Sequence, residues 1–169
     1  MAPHQTLQNN PIIKALNYAQ SNNWDSKKIC KILKTPTQFF APEVLISLLL
    51  LIAYHKDEVV LKSLEQTLGE RFNINEQDQN GTVLHHLSTK IRIPEQLEDL
   101  IFLIAHGADF SLSSKLDKLP LFVLMENAPS NVIKAFFEHT ILWNYLHALK
   151  IDFDCLDVNA RKIIHHLML

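Results

Sequence analysis

Histidine is the residue type in this sequence whose number first suggests a chemical role. The chain has nine histidines, and four of them form two adjacent pairs, His85-His86 and His165-His166. Imidazole is a common zinc ligand. However, neighbouring residues on a helix point about 100° apart, so one pair cannot close on a single ion. The sequence contains no His-Glu-x-x-His motif, which would place two ligands on one helical face. The histidines therefore do not predict a metal site.

The two cysteines are the next candidates for chemistry. Cys155 and a distant histidine could in principle form a nucleophile pair, but nothing in the sequence places a base beside the thiol. Cys30 and Cys155 lack close cysteine neighbours, a pattern that suits a reducing compartment and argues against a zinc knuckle or a disulfide framework. With three glycines in the chain, no Gly-rich phosphate loop and no Gly-x-Ser-x-Gly elbow is present. We therefore predict a protein that is not an enzyme and binds no cofactor.

Composition limits the class of protein further. The 169 residues are 47% hydrophobic and 20% charged, which is typical of a folded domain. The scarcity of glycine favours helices over an all-β fold, which needs more turn glycines. The net charge is -2 and no Lys/Arg-rich block occurs, so the footprint expected of a nucleic-acid binder is missing.

Membrane insertion and secretion are not indicated either. The most apolar run, Val44 to Ala53, is far too short to span a bilayer at about 1.5 Å per residue and is better explained as a buried helix. The first ten residues lack a basic segment followed by an apolar one. We expect no membrane span and a cytoplasmic location.

Helices are predicted along the N-terminal third by local start and stop signals. Proline at a first-turn position or a capping aspartate precedes most of the apolar periodic segments. The predicted helices are 12–20, 27–33, 43–54 and 58–68.

Three windows further along resemble one another, each a polar turn followed by the apolar start of a helix. They are 80–87, 117–124 and 160–167. Leu84 and Leu121 are 37 residues apart, and Leu121 and Ile164 are 43 apart. The extra residues fall at 90–94 and within 140–151, where Ile141 to Leu146 could add a helical turn or two. The second helix of the first unit is predicted over Leu97 to Ala105, where Leu97, Leu100, Ile101 and Ile104 mark one face, and Gly107 is the expected left-handed stop. Val132, Ile133, Phe136 and Phe137 repeat that pattern in the next unit.

The stretch from Asp78 to Phe110 resembles one ankyrin repeat. Thr82-Val83-Leu84-His85 is similar to the Thr-Pro-Leu-His motif of that family, and His106-Gly107-Ala108-Asp109-Phe110 is similar to its Gly-Ala-Asp turn. Pro120-Leu121 keeps part of the motif, while Leu119 and Phe122 depart from it. The ankyrin period is about 33 residues. The resemblance implies an all-α, ankyrin-like helical solenoid, in which His85 is structural and bonds its imidazole to nearby backbone.

The resemblance also implies a binding surface. In ankyrin stacks the hairpin tips and the exposed side of the first helices form a concave face. We therefore predict a non-catalytic module that binds a partner protein whose identity the sequence does not give. The contact residues predicted at the hairpin tips are Gln77, Gln79, Lys115, Asp117 and Asp157. Those predicted on the exposed side of the first helices are His86, Lys90, Glu126, Asn127 and His166.

The N-terminal region, residues 1–67, leaves alternatives open: a helical cap or a decayed repeat ahead of about three degenerate repeats in 68–169, the last of them incomplete. Pro42-Glu43-Val44-Leu45 and the apolar helix after it resemble an F-box, a module that docks onto a ubiquitin-ligase adaptor. In that case this chain would itself be an adaptor of a ubiquitin ligase, and its repeats would select the substrate. An amphipathic helix pair gives the same pattern through packing alone.

Two further expectations concern the source of the protein and whether the chain is part of a longer one. Degenerate repeats together with a Lys-, Asn- and Ile-rich sequence favour a bacterial effector that acts in the cytosol of a host cell. The last repeat stops after its first helix. We therefore expect one of two arrangements. Either the chain is a fragment of a longer protein, which could be a larger enzyme, or its last helix packs as a C-terminal cap on residues 141–149.

Overall fold

The structure is a computed structural model that describes residues 10–21, 23–35, 37 and 40–149. Every regular element in these ranges is helical, so the prediction of an all-α fold is confirmed there. None of their helices is long and apolar enough to cross a bilayer. Contacts divide the chain into two compact units, unit 1 ending at Asp78 and unit 2 beginning at Gln79.

Unit 1 consists of two consecutive pairs of helices. The first pair is α1 and α2, and the second is α3 and α4, followed by a short 3-10 turn over Gly69–Arg71. The bounds agree with the predicted ones to within one residue at each end. They are α1 Pro11–Ser21, α2 Ser26–Leu33, α3 Pro42–His55 and α4 Glu58–Leu68.

The two pairs of unit 1 are packed side by side in register. Helix α1 packs on α3, α2 packs on α4, and each helix also contacts its own hairpin partner. The interface is aliphatic, and residues at its centre are completely buried: Ile12, Ile29, Leu33, Leu45, Leu48, Leu49, Ile52, Leu61 and Leu64. Burial of such side chains contributes about 1.5–3 kcal/mol each and is the main force that holds the pairs together.

Asp57 connects the two pairs of unit 1. Its Oδ1 caps α4 by accepting from the amides of Val59 at 3.1 Å and Val60 at 3.0 Å. Its Oδ2 accepts from Trp24 Nε1 at 2.8 Å and from the Ser26 hydroxyl. Burial by itself raises the pKa of Asp57. The hydrogen bonds favour the carboxylate and outweigh it, so the pKa lies below the ordinary 3.8.

Unit 2 contains five helices and a 3-10 turn over Pro94–Gln96. The helices are α5 Val83–Ser88, α6 Leu97–Ala105, α7 Pro120–Asn127, α8 Ser130–Glu138 and α9 Thr140–Leu149. Helix α5 packs on both α6 and α7, the 3-10 turn packs on α6 and α8, and α9 packs on α8. The bounds of α6 match the prediction at both ends. The added turn expected near Ile141 is a helix of ten residues.

The end of α6 is fixed by a left-handed glycine, as the sequence predicts. Gly107 has a φ of +93°. Its amide donates to the carbonyl of Ile104 at 3.0 Å, and the amide of Ala108 donates to that of Leu103 at 3.0 Å. These bonds satisfy carbonyls that the helix end would otherwise leave open. The chain then turns Phe110, which is fully buried, into the core.

Tyr145 on α9 closes over this turn. Its hydroxyl donates to the carbonyl of Ala108 and accepts from the amide of Phe110, both at 3.3 Å. The Tyr145 ring also meets the Phe110 ring edge-on at 6.3 Å between centroids. Burial raises the pKa of the Tyr145 hydroxyl above 10.0, because the charged form is poorly solvated there. Helix α9 is thus tied to the loop that follows α6.

Candidate functional site

A tight turn from Ser114 to Lys118 lies between α6 and α7. The amide of Asp117 donates to the carbonyl of Ser114 at 3.0 Å, and the amide of Ser114 donates to the carbonyl of Lys118 at 2.8 Å. Asp117 has a φ of +53°, in the left-handed region that aspartate tolerates better than most residues. Leu116 at the tip is 73% exposed, and Lys115 is exposed beside it. Lys115 and Asp117 therefore lie at a loop tip, as predicted.

His85 joins the start of α5 to this turn. Its Nδ1 lies 3.0 Å from the backbone nitrogen of Thr82, and its Nε2 lies 2.8 Å from the carbonyl oxygen of Lys118. An amide can only donate and a carbonyl can only accept, so Nε2 carries the hydrogen and Nδ1 does not. The structural role predicted for His85, bonding to nearby backbone, is confirmed.

Gly81 makes room for the His85 imidazole. It has a φ of +120°, and a Cβ at this position would lie 2.6 Å from Cγ and 2.7 Å from Nδ1 of His85. Both the backbone conformation and the close approach require glycine. Gly81 therefore leaves the space that the His85 ring occupies, and the His85 ring in turn holds the Ser114–Lys118 turn through the carbonyl of Lys118.

A groove of about 270 Å³ opens between the turn and helices α5 and α7. His85 and His86 form part of its wall, and Leu116 and Val123 supply apolar surface. Its complete lining is Asn80, His85, His86, Thr89, Ser114, Leu116, Lys118 and Val123. The groove therefore offers an apolar recess beside several hydrogen-bonding groups and one lysine.

Lys118 is held at the groove by an acidic residue of α7. Its Nζ lies 2.7 Å from Oε2 and 2.9 Å from Oε1 of Glu126. Both side chains are about half exposed, at 47% and 48%, so the pair is worth at most about 1 kcal/mol. It orients the lysine more than it stabilises the fold. The adjacent Asn127 turns back on its own helix and donates from Nδ2 to the Val123 carbonyl at 2.7 Å.

The other predicted contact residues are more scattered. Gln79 is exposed at the start of unit 2, whereas Gln77 is half-buried and belongs to unit 1. The sequence predicts Lys90 on the exposed side of a helix. It lies in a turn instead, because α5 ends at Ser88 after six residues. Asp157 and His166 lie outside the described residues, as do Cys155 and His165.

Sequence reasoning missed six of the residues that line the groove: Asn80, Thr89, Ser114, Leu116, Lys118 and Val123. Lys118 carried a weak signal, since it directly precedes the Leu119-Pro120-Leu121 remnant of the repeat motif. Its backbone carbonyl is the one that His85 bonds. Nothing in the sequence indicated that Leu116 would line a groove, because an apolar residue in a loop is not expected to be exposed.

The described residues contain no group of three or more His, Cys, Asp or Glu side chains arranged to hold a metal ion. Comparison with protein-family models, with curated proteins and with solved structures gave no match to this chain.

Proposed function

We propose that unit 2 is a short stack of ankyrin-like helical hairpins that binds a segment of a partner protein at the groove beside the Ser114–Lys118 turn, without catalysis. Two features support this function, namely the groove and the packing of the helices around it. The partner contributes an apolar side chain to the recess, and polar groups beside that side chain meet His86 and Lys118, since both ring nitrogens of His85 are already bonded to backbone.

The contacts within unit 2 support the stacking of hairpins. The first helices of successive pairs, α5 and α7, pack on each other, and the 3-10 turn before α6 packs on α8. His85 bonds a carbonyl that lies 33 residues further along the chain, and 33 residues is about the period of the ankyrin repeat. Each hairpin leaves an apolar face that its neighbour covers.

The observation that carries the binding proposal is the groove with Leu116 at its edge. Pockets for small molecules and cofactors commonly have volumes of about 300–1,000 Å³, and the groove lies just below that range at about 270 Å³. It is the size of a recess for one side chain. Leu116, which is 73% exposed, supplies apolar area at the edge of this recess, and contact with a partner would bury that area.

Site-specific photo-crosslinking tests this proposal. A photoreactive amino acid at position 116 should give one discrete protein adduct in cells that contain the partner. Reversal of both charges flanking the tip, Lys115→Glu with Asp117→Lys, should reduce that adduct strongly. The matched control is position 141, because Ile141 is also an exposed aliphatic residue of unit 2, at 55% exposure.

Two results would contradict the proposal. One is the absence of an adduct at position 116. The other is the same set of adducts at positions 116 and 141, which would indicate unspecific contact. The variant Lys118→Gln distinguishes binding in the groove from contact at the loop tip alone. Loss of the position-116 adduct in this variant would indicate that the partner occupies the groove.

The F-box-like adaptor function stays a prediction. The apolar side chains on which that resemblance depends lie in α3, and Leu45, Leu48 and Leu49 are fully buried within unit 1. Copurification with the ligase adaptor would test it separately from the groove.

A further inference from the structure

Helix α2 and the residue that caps its C-terminus, Lys34, carry four lysines on the side opposite the buried residues of the helix. Lys27, Lys31 and Lys34 follow at spacings of four and three, which places them in one stripe along the helix, and Lys28 flanks the stripe. All four are exposed. Ile29 and Leu33, on the other face, are completely buried. We name Lys27, Lys28, Lys31 and Lys34 the lysine stripe.

No ion pair joins a lysine of the stripe to an acidic residue in the part of the chain that the structure describes. Lys28 lies over the ring of Tyr18, with Nζ 5.8 Å from the ring centroid. Other basic side chains have acidic partners, such as Lys134 with Glu138 on α8 at 3.7 Å and Lys118 with Glu126 at 2.7 Å. The stripe is therefore a concentration of uncompensated positive charge.

This arrangement is unfavourable for the helix itself. Like charges three and four residues apart repel one another, and Lys31 has such a neighbour at Lys27, Lys28 and Lys34. Lys27 and Lys28 also lie in the first turn of α2, near the positive end of the helix dipole, where acidic residues are preferred. A face that served only solubility would mix both signs of charge, as α4 does with Glu58, Lys62 and Glu65.

Charge is also segregated between the two halves of unit 1. Residues 1–35 contain five lysines and one aspartate, whereas residues 36–78 contain three basic and seven acidic residues. A large polyanion such as a nucleic-acid duplex or an anionic membrane would extend beyond the stripe, which is about 10 Å long, and meet the acidic half of the same unit. A short acidic segment contacts the stripe alone. The absence of arginine from the stripe also removes the bidentate donors typical of phosphate recognition.

We propose that the lysine stripe of α2 is a second docking surface, which binds a short acidic segment of a partner protein. It acts through charge complementarity, because the apolar face of α2 is already buried in unit 1. This surface is independent of the groove in unit 2, and either proposal can fail without the other.

Fluorescence polarisation of a labelled poly-glutamate peptide with the full chain tests the proposal. The wild-type protein should bind at about 0.02 M NaCl and lose most of that affinity at about 0.5 M NaCl, because exposed charges are screened. The variant Lys27→Gln/Lys31→Gln/Lys34→Gln should bind about tenfold more weakly, since three exposed charge pairs are removed. Glutamine keeps the helix propensity, so the variant should remain folded by circular dichroism.

The matched control is Lys62→Gln on α4, an exposed lysine that lies between Glu58 and Glu65. Its peptide affinity should stay within about twofold of wild type, as expected for an exposed charge outside the binding surface. No binding by the wild-type protein at low salt, or equal binding by the triple variant, would overturn the proposal. Tighter binding of phosphatidylserine vesicles or of single-stranded DNA through the same lysines would assign the surface to another class of ligand and overturn it as well.

Discussion

Gly81 is the position where a single methyl group tests the histidine network of unit 2. Its φ of +120° is one that alanine rarely adopts, and an added Cβ would lie 2.6 Å from the His85 ring. Gly81→Ala should therefore strain the backbone and displace the imidazole that bonds Thr82 and Lys118. Gly107 offers the comparison, because its φ is +93° but a Cβ there would meet nothing within 4 Å.

The expected magnitudes differ for a physical reason. A non-glycine residue in such a conformation costs about 1–3 kcal/mol. Displacement of His85 adds the loss of two hydrogen bonds, at about 0.5–1.5 kcal/mol each. Gly81→Ala should thus destabilise unit 2 by about 2–6 kcal/mol, whereas Gly107→Ala should cost the strain alone, about 1–3 kcal/mol.

A double-mutant cycle separates strain from the clash. When His85→Ala has removed the ring, Gly81→Ala should cost only the strain, so the two substitutions should couple by about 1–3 kcal/mol. Urea unfolding followed by the fluorescence of Trp143 reports unit 2, provided that Trp24 in unit 1 is replaced by phenylalanine in every variant. Equal costs at positions 81 and 107, or strict additivity with His85→Ala, would refute this account of the glycine.

Three further predictions concern stability. Asp57→Ala removes the cap of α4 and should destabilise unit 1 by about 1–2 kcal/mol in thermal unfolding followed by Trp24 fluorescence. Because the folded pKa of Asp57 is lowered, its contribution is present above the unfolded value of 3.8 and is lost as the pH falls through the folded pKa. Wild type should therefore lose more stability than Asp57→Ala between pH 5 and pH 2, and equal losses would contradict the shift. Tyr145→Phe removes two long hydrogen bonds and should cost unit 2 about 1 kcal/mol in urea unfolding, while unchanged stability would show that the hydroxyl does not tie α9 to the loop. Lys31→Gln should stabilise unit 1 by about 0.5 kcal/mol at low salt and by nothing at high salt; destabilisation would mean that Lys31 has a favourable partner.

Local signals in the sequence were sufficient to predict the bounds of α4 and α6. Asp57 caps α4 with its own side chain, and Gly107 turns the chain at the end of α6 so that its own amide and that of Ala108 donate to the last carbonyls of the helix. Both elements were predicted with their observed bounds, because each signal acts within a few residues of the backbone that it satisfies. The buried face of α8, with Val132 and Phe136, was likewise predicted from a spacing of three and four.

The pairing of the helices depended on contacts between distant residues. The N-terminal segment could be a cap or a decayed repeat by sequence, and only the structure shows that α1 packs on α3 and α2 on α4. Trp24 and Asp57, which join the two pairs, are 33 residues apart. No local pattern in the chain links two such positions.

The candidate site likewise depends partly on local sequence and partly on contacts between distant residues. From the sequence alone, the resemblance to an ankyrin repeat predicted a structural role for His85 and placed Lys115 and Asp117 at a hairpin tip. The tertiary structure decided what surrounds them. The carbonyl of Lys118 becomes the partner of His85 only when α7 packs on α5, and that packing also opens the groove and leaves Leu116 beside it in solvent. Which side chains line a groove depends on where two helices meet, and the meeting point is set by the burial of apolar faces that lie far apart in the chain.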